Sequence, residues 1–455
     1  KSFLTNRRFR VRVGDKFSDD KLLENGVPQG STLSCTLFAI AINDICSNTP
    51  ENISKCMYVD DIAIFTSGKT VGEITRKLQP VINQIVGNAE NIGLSFSHEK
   101  TQCVHFCRLR RPHYDPVLYL TNHNIRCSEA AKFLGLTFDR SLTWRTHLEH
   151  LKTKCVNSLN ILKVLAHTKW GADANCLIRI YQALIRSQMD YGSIAYSSAR
   201  KTLLTILDPV QHAAIRYCIG AFPTSPVASL HCESGISPLD TRRKQLTYCY
   251  MAKLLSLPRH PNSIIFSVDK NAYRMRPTIT RPASVRFYED IQLQGIALPE
   301  ILENTTQEFA PWMTPAVEIR TELAKYKKST TNSNTYIQKF QDICNEYPSY
   351  EIIYTDGSRT ESGVGSAMVI GEESYEWSLC SWSSIRFAEQ YALWQALLYC
   401  SIGDRQNVII VTDCMEAVNG ISEIYPVDAM TKRCQSILKF WKRSSRPCCM
   451  PGCVK

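Results

Sequence analysis

No apolar run in these 455 residues approaches the roughly 18 needed to cross a bilayer. No basic n-region followed by an apolar h-region precedes Asn6. Nothing in the sequence points to a membrane or to secretion, and no membrane partner is expected. The chain opens on Lys1 rather than Met, which reads as the inside of a longer frame. Paired C-x-x-C motifs are missing from the cluster His98, Cys103, His105, Cys107 and His113. Cys448, Cys449 and Cys453 stand alone near the end, so structural zinc is expected at neither place. The segment SGKT (67–70) lacks the glycine a phosphate-binding loop needs five positions before its second glycine; Ala63 stands there. No internal repeat is visible.

What is present is ordinary globular material: 44% hydrophobic and 21% charged, enough chain for about three domains of roughly 150 residues. The 19 cysteines are expected to be reduced thiols, most of them small buried apolar groups. The net charge of +11 is localised. Residues 101–300 carry 26 basic against 13 acidic side chains, whereas 351–400 carry 2 against 7. A basic middle followed by an acidic segment suits a polyanion-gripping region beside a carboxylate-built site.

Residues 7–13 alternate as a strand that turns at Gly14–Asp15. The loop NGVPQG (25–30) opens a helical stretch over 31–45, and KCMYVDDIAIFTSG (55–68) reads as a short hairpin. An amphipathic helix fits 70–92, with Ile74, Leu78, Val81, Ile82, Ile85 and Ala89 on one side. Residues 94–138 alternate as strands, and 144–255 are mostly helical. The proline-rich stretch 256–348 reads as a partly ordered connector. A second α/β pattern follows: strands 351–355, 363–370 and 407–412, with helices near 386–400 and 414–420.

Asp60 and Asp61 interrupt the apolar strand-turn-strand KCMYVDDIAIF. Two carboxylates this close cannot easily both ionise when buried without a cation. A pair of Mg²⁺ ions removes that difficulty and is also what nucleotidyl transfer requires. The plain alternative is a solvated hairpin turn, where Asp pairs are common. Context decides between them: NGVPQGS (25–31), LSCTLFAIAINDI, YVDD (58–61), GLSFSHEKTQCVHF (93–106) and FLGLTFDRSLTWRTHL (133–148) occur in that order. Together they resemble reverse transcriptases of the non-LTR, jockey-like retrotransposon kind.

The resemblance makes Asp60 and Asp61 the metal-binding carboxylates, Asp60 the more critical. Gln29 and Gly30 correspond to the element lying against template and incoming nucleotide. Lys100 matches a lysine that helps protonate the leaving pyrophosphate, and Tyr58 and Val59 precede the acids, Val59 touching the nascent strand. The family's third carboxylate and most of its fingers lie upstream of residues 1–25, so no polymerisation is expected from the chain as it stands. Residues 150–255 would be a thumb tracking primer–template phosphates. For Trp144, Trp170 and Tyr191, burial in its core is expected over base stacking.

A second acid set follows. Strand 351–355 delivers Asp356, a helix beginning near Ser384 carries Glu389, and strand 407–412 ends at Asp413. Each alone would be a turn or cap residue; together they can build a two-metal hydrolase site. TDGS (355–358), FAE (387–389) and TDC (412–414) resemble the ribonuclease H domain some non-LTR elements carry. By that resemblance Asp356, Glu389 and Asp413 hold Mg²⁺, or Mn²⁺ in its place, against an RNA phosphate of an RNA–DNA hybrid. Cys414 replaces the family's serine. The family's fourth acid and histidine-bearing loop have no match, and KRSSRPCCMPGCVK (442–455) does not read like the expected strand, loop and helix, so turnover is expected to be severely impaired.

The expected fold is α/β (α+β). A partial reverse-transcriptase palm (1–143) is followed by a helical thumb (144–255), an irregular connector (256–348) and a ribonuclease H-like domain truncated at its C-terminus (349–455). The expected function is RNA-directed DNA polymerase and hybrid ribonuclease, within a retrotransposon polyprotein. The alternative is a catalytically dead remnant that binds RNA–DNA or duplex nucleic acid. An integrase-like nuclease is disfavoured by TDGS and FAE. Expected partners are template RNA, primer DNA, RNA–DNA hybrid, dNTPs and the element's own nucleic-acid-binding protein. An intracellular location with nuclear exposure follows from the resemblance, although no basic localisation run is visible.

Overall fold

The computed structural model describes residues 3–23, 26–107, 113–167, 169–267, 273, 280–298, 301–304, 318–326, 331–403, 405, 407–423, 426, 428–443 and 449–451. Asn25 of the NGVPQG loop, Cys448 and Cys453 therefore lie outside them. Two compact units divide the chain, Lys1–Leu246 and Thr247–Lys455. Both mix helix and strand, as the sequence leads one to expect. No helix among the described residues is long and apolar enough to cross a membrane.

In the first unit, helix α1 (Thr32–Ile42) precedes the hairpin of β1 (Ser54–Tyr58) and β2 (Asp61–Phe65). Helix α2 (Val71–Asn91) buries Leu78, Val81, Ile82, Ile85 and Ala89, the stripe its sequence period prescribes. These meet Ile42, Ile45, Ile53, Leu118, Leu120 and Ile125 in one core. The SGKT segment leads into α2, with Thr70 as its N-cap. The Thr70 hydroxyl accepts from the Glu73 N–H (3.2 Å), and the Glu73 carboxylate accepts from the Lys69 N–H (2.9 Å).

The stretch 94–138 is broken into shorter strands than its alternation suggests. Strand β3 (Gln102–Cys103) pairs in parallel with β4 (Arg126–Cys127), and β5 (Ala130–Phe133) pairs antiparallel with β6 (Leu136–Asp139). Leu134 (φ +47°) and Gly135 (φ +81°) form the two-residue turn between β5 and β6, whose right-handed twist demands positive φ at both positions. Asp139 then starts the next element: its carboxylate accepts from the N–H groups of Thr143 (2.9 Å) and Trp144 (2.6 Å).

Helix α3 (Arg145–Leu165) packs with α4 (Ala174–Tyr181) and α5 (Asp208–Ile219) around Leu148, Cys155, Leu162, Tyr181, Ile185, Tyr196, Leu207 and Ala214. Trp144 caps this core, 7% exposed, its indole N–H donating to Ser198 Oγ (2.8 Å). Trp144→Ala is expected to destabilise the unit by about 3–5 kcal/mol, read as a lowered denaturant midpoint. An unchanged midpoint would contradict this packing. Trp170 and Tyr191, for which burial was equally expected, are instead 61% and 59% exposed.

The unit boundary falls inside helix α6 (Leu239–Leu255). The stretch read as an irregular connector carries structure of its own. Helix α7 (Ala283–Leu293) packs Phe287 and Ile291 with Met251 of α6. Strand β7 (Glu318–Arg320) and helix α8 (Ser333–Glu346) follow. Prolines around these short elements conceal their periodicity in sequence.

Strands β8 (Glu351–Arg359), β9 (Val364–Ile370) and β10 (Glu373–Leu379) form an antiparallel meander. Helix α9 (Ile385–Ile402) leads to β11 (Val408–Thr412), which lies parallel to β8. Helices α10 (Met415–Ser422) and α11 (Ala429–Arg443) precede β12 (Cys449–Pro451), parallel to β11 and β7. The sheet order is β7-β12-β11-β8-β9-β10. Strand β12 lies within 442–455, a stretch that in sequence does not read like the expected strand, loop and helix; three residues are too short to show a period of two.

Of the cysteines, Cys46, Cys155, Cys218, Cys400 and Cys434 are buried. Cys35, Cys56, Cys176, Cys232, Cys249 and Cys380 are exposed, so the expectation that most are core groups fails. All those described are free thiols.

Candidate functional site

In the second unit three carboxylates converge. One oxygen each from Asp356, Glu389 and Asp413 lies within 4.8 Å of the others. The local structure explains the approach. Register pairs Thr355 of β8 with Thr412 of β11, which sets Asp356 beside the strand end where Asp413 follows. There β8 has an antiparallel neighbour, β9, on one side and a parallel one, β11, on the other. Asp356 and Asp413 line a cavity of about 190 Å³ with Tyr354, Ala367 and Val411.

Glu389 arrives from α9, 8% exposed. The helix is capped by the Ser384 hydroxyl, which accepts from the Phe387 N–H (3.1 Å). It is held to the sheet by the buried Ser366 hydroxyl, which donates to the Ala388 carbonyl (3.0 Å). Gly357 permits the contact: a Cβ there would sit 2.6 Å from the Glu389 nitrogen and 2.9 Å from the Ala388 carbonyl carbon. Gly357 and Ser366 were not recognised as site residues from sequence. The glycine of TDGS was the available signal; Ser366 gave none. Burial pushes the Cys414 thiol up, with Glu389 adding to the effect, so it stays a neutral neighbour of the acids.

In the first unit Asp60 and Asp61 sit at the exposed tip of the β1–β2 hairpin, where Tyr58 pairs with Asp61. Tyr58 and Val59 are 62% and 54% exposed. Val59 has φ +56°, a conformation a β-branched residue adopts only under strain. Val59→Gly is expected to raise stability by about 1 kcal/mol, after the entropy of glycine is subtracted from the strain relieved. A lowered denaturant midpoint would show that the turn is not strained.

Gln29, Gly30 and Lys100 are exposed on other loops of this unit. Gly30 has φ +90°, and its loop is tied to α1 by the Ser34 hydroxyl, which donates to the Pro28 carbonyl. Among the described residues, the metal-capable clusters are the Asp356 trio and His105–Cys107–His113; neither Asp60 nor Asp61 belongs to one.

A basic cleft of about 350 Å³ lies beside the β5–β6 turn, lined by Lys132, His150, Lys154, Gln188 and Tyr191. Tyr191 is fixed there, its hydroxyl donating to the Leu134 carbonyl (2.7 Å).

Residues 1–138 match the family model described as reverse transcriptase (RNA-dependent DNA polymerase). These residues are a reverse transcriptase domain. It is of the jockey-like, non-LTR retrotransposon kind: the chain is 28% identical over 270 residues to the RNA-directed DNA polymerase from mobile element jockey of Drosophila melanogaster. The match covers 58% of this chain and 29% of that relative. The Drosophila funebris counterpart is 27% identical over 273 residues, with the same coverage of 58% and 29%. The match thus spans less than a third of the length of these two relatives. In this frame the Asp60–Asp61 hairpin belongs to the reverse transcriptase domain, and the Asp356 trio lies outside it. A crystal structure of RNase H1 from the halophilic archaeon Halobacterium salinarum NRC-1 is 14% identical and covers 24% of this chain and 87% of its own. Its TM-score is 0.20.

Proposed function

We propose that this chain is the reverse transcriptase–ribonuclease H portion of a non-LTR retrotransposon polyprotein, acting on template RNA, primer DNA and their hybrid. The observation that carries the nuclease half is the convergence of Asp356, Glu389 and Asp413 from two strands and a helix. An all-carboxylate donor set suits a hard cation such as Mg²⁺, or Mn²⁺ in its place. When bound, the metal supplies charge neutralisation at the scissile phosphate and a more acidic water. The chain's own work is positional: β8 and β11 fix two acids on the sheet, and α9 delivers the third from a largely buried position. For the polymerase half, Asp60 and Asp61 would hold the ions, with Gln29, Gly30, Tyr58 and Val59 against template and nucleotide and Lys100 near the leaving group. The family match over residues 1–138 supports that assignment.

The test is cleavage of the RNA strand of an RNA–DNA hybrid by the full chain with Mg²⁺, against Asp413→Asn. Metal-dependent cleavage lost in the variant supports the nuclease reading. Hybrid binding without cleavage in either Mg²⁺ or Mn²⁺ would favour the second reading, a binding remnant.

The basic cleft supports the grip on primer–template. Lys132→Ala and Lys154→Ala are each expected to weaken hybrid binding evenly across sequences. Each should also reduce the slope of log affinity against log salt by about 1. Fluorescence anisotropy at several salt concentrations reads this; an unaltered slope would remove the cleft from the interface.

A further inference from the structure

The reverse transcriptase domain carries a second ligand cluster, built from different chemistry. One ligand atom each from His105, Cys107 and His113 lies within 4.8 Å of the others, all three half-buried. The imidazoles meet edge to face, ring centres 5.1 Å apart and planes at 83°. His98, next to this group in sequence, stacks on His123 instead (4.5 Å). The cluster was discounted from sequence because it lacks paired cysteines. The fold supplies the proximity that spacing does not.

The surroundings prepare both imidazoles for the same task. Nδ1 of His105 stands 2.9 Å from the Asp115 carboxylate. A carboxylate accepts, so Nδ1 donates to it and Nε2 is the nitrogen left to face a ligand. A carboxylate behind a histidine is the arrangement that orients metal-bound imidazoles and raises their basicity. Nε2 of His113 stands 3.0 Å from Nη2 of Arg140. Guanidinium can only donate, so this nitrogen is the acceptor in that contact. A metal there would displace Arg140, which keeps Asp115 (3.2 Å) and Glu129 (3.2 Å) as anionic partners. Cys107 is fixed by its N–H, which donates to the Arg140 carbonyl (3.0 Å).

We infer that His105, Cys107 and His113 bind a Zn²⁺ ion, with Asp115 as the positioning residue behind His105. One thiolate with two imidazoles selects a borderline-soft ion over Mg²⁺, and three protein ligands leave a fourth position for water. The site is independent of the acid trio in the second unit.

Cobalt titration of the full chain tests this. The wild type is expected to take up about one Co²⁺ per chain at this site, with a thiolate-to-cobalt charge-transfer band, and Zn²⁺ should bleach it. Cys107→Ser should lose the band, His113→Asn should weaken uptake at least tenfold, and Asp115→Asn should weaken it about 10–100-fold. His98→Asn should change nothing. Circular dichroism of each variant confirms that it is folded. A wild type without the band, or a Cys107→Ser variant that keeps it, would overturn the inference.

Discussion

Gly357→Ala is expected to lower the stability of the second unit by about 1–3 kcal/mol and to cut hybrid cleavage on the order of 100-fold. The added methyl would stand 2.6 Å from the Glu389 nitrogen and 2.9 Å from the Ala388 carbonyl carbon. Both are backbone atoms of α9, so no side chain can swing aside. The helix must lift from β8, and it carries Glu389 away from Asp356 and Asp413. Thermal denaturation and RNA-strand cleavage read the two effects. Gly363→Ala is the control, because nothing lies within 4 Å of a Cβ at Gly363. If both alanine variants behave like the wild type, α9 is not held by this contact.

Glu389→Gln should separate the metal-free and metal-bound states. Three carboxylates within 4.8 Å repel one another when no cation is present. Removing one charge should therefore raise the melting temperature in chelator, by the equivalent of about 1 kcal/mol. With Mg²⁺ at roughly ten times its dissociation constant, the wild type should gain about 1.4 kcal/mol. The variant should gain almost nothing, and its metal-dependent cleavage should disappear. Differential scanning calorimetry with and without Mg²⁺ makes the comparison. An equal response of both proteins to Mg²⁺ would mean that the trio does not bind the ion.

Much of the architecture was legible because its signals are local. The stripe Leu78, Val81, Ile82, Ile85 and Ala89 repeats at the helical period, and α2 buries just those residues. The YVDD hairpin announces itself by two apolar strands around two acids. The stretch 256–348 was less legible because β7 pairs with β12, distant in sequence. Trp170 and Tyr191 were misjudged for a related reason. An aromatic residue carries no mark of whether a neighbouring element will cover it.

The sequence by itself determined the reverse transcriptase domain, the hairpin bearing Asp60 and Asp61, and the identity of the second acid set. Motif order, turn chemistry and hydrophobic period are properties of the chain. Only the tertiary structure decided that Asp356, Glu389 and Asp413 meet within 4.8 Å, that Gly357 makes room for them, and that His105, Cys107 and His113 share a site. The acid trio depends on strand register and helix packing, which bring residues far apart in the chain together, and the His105 cluster on the path of the backbone outside its strands and helices.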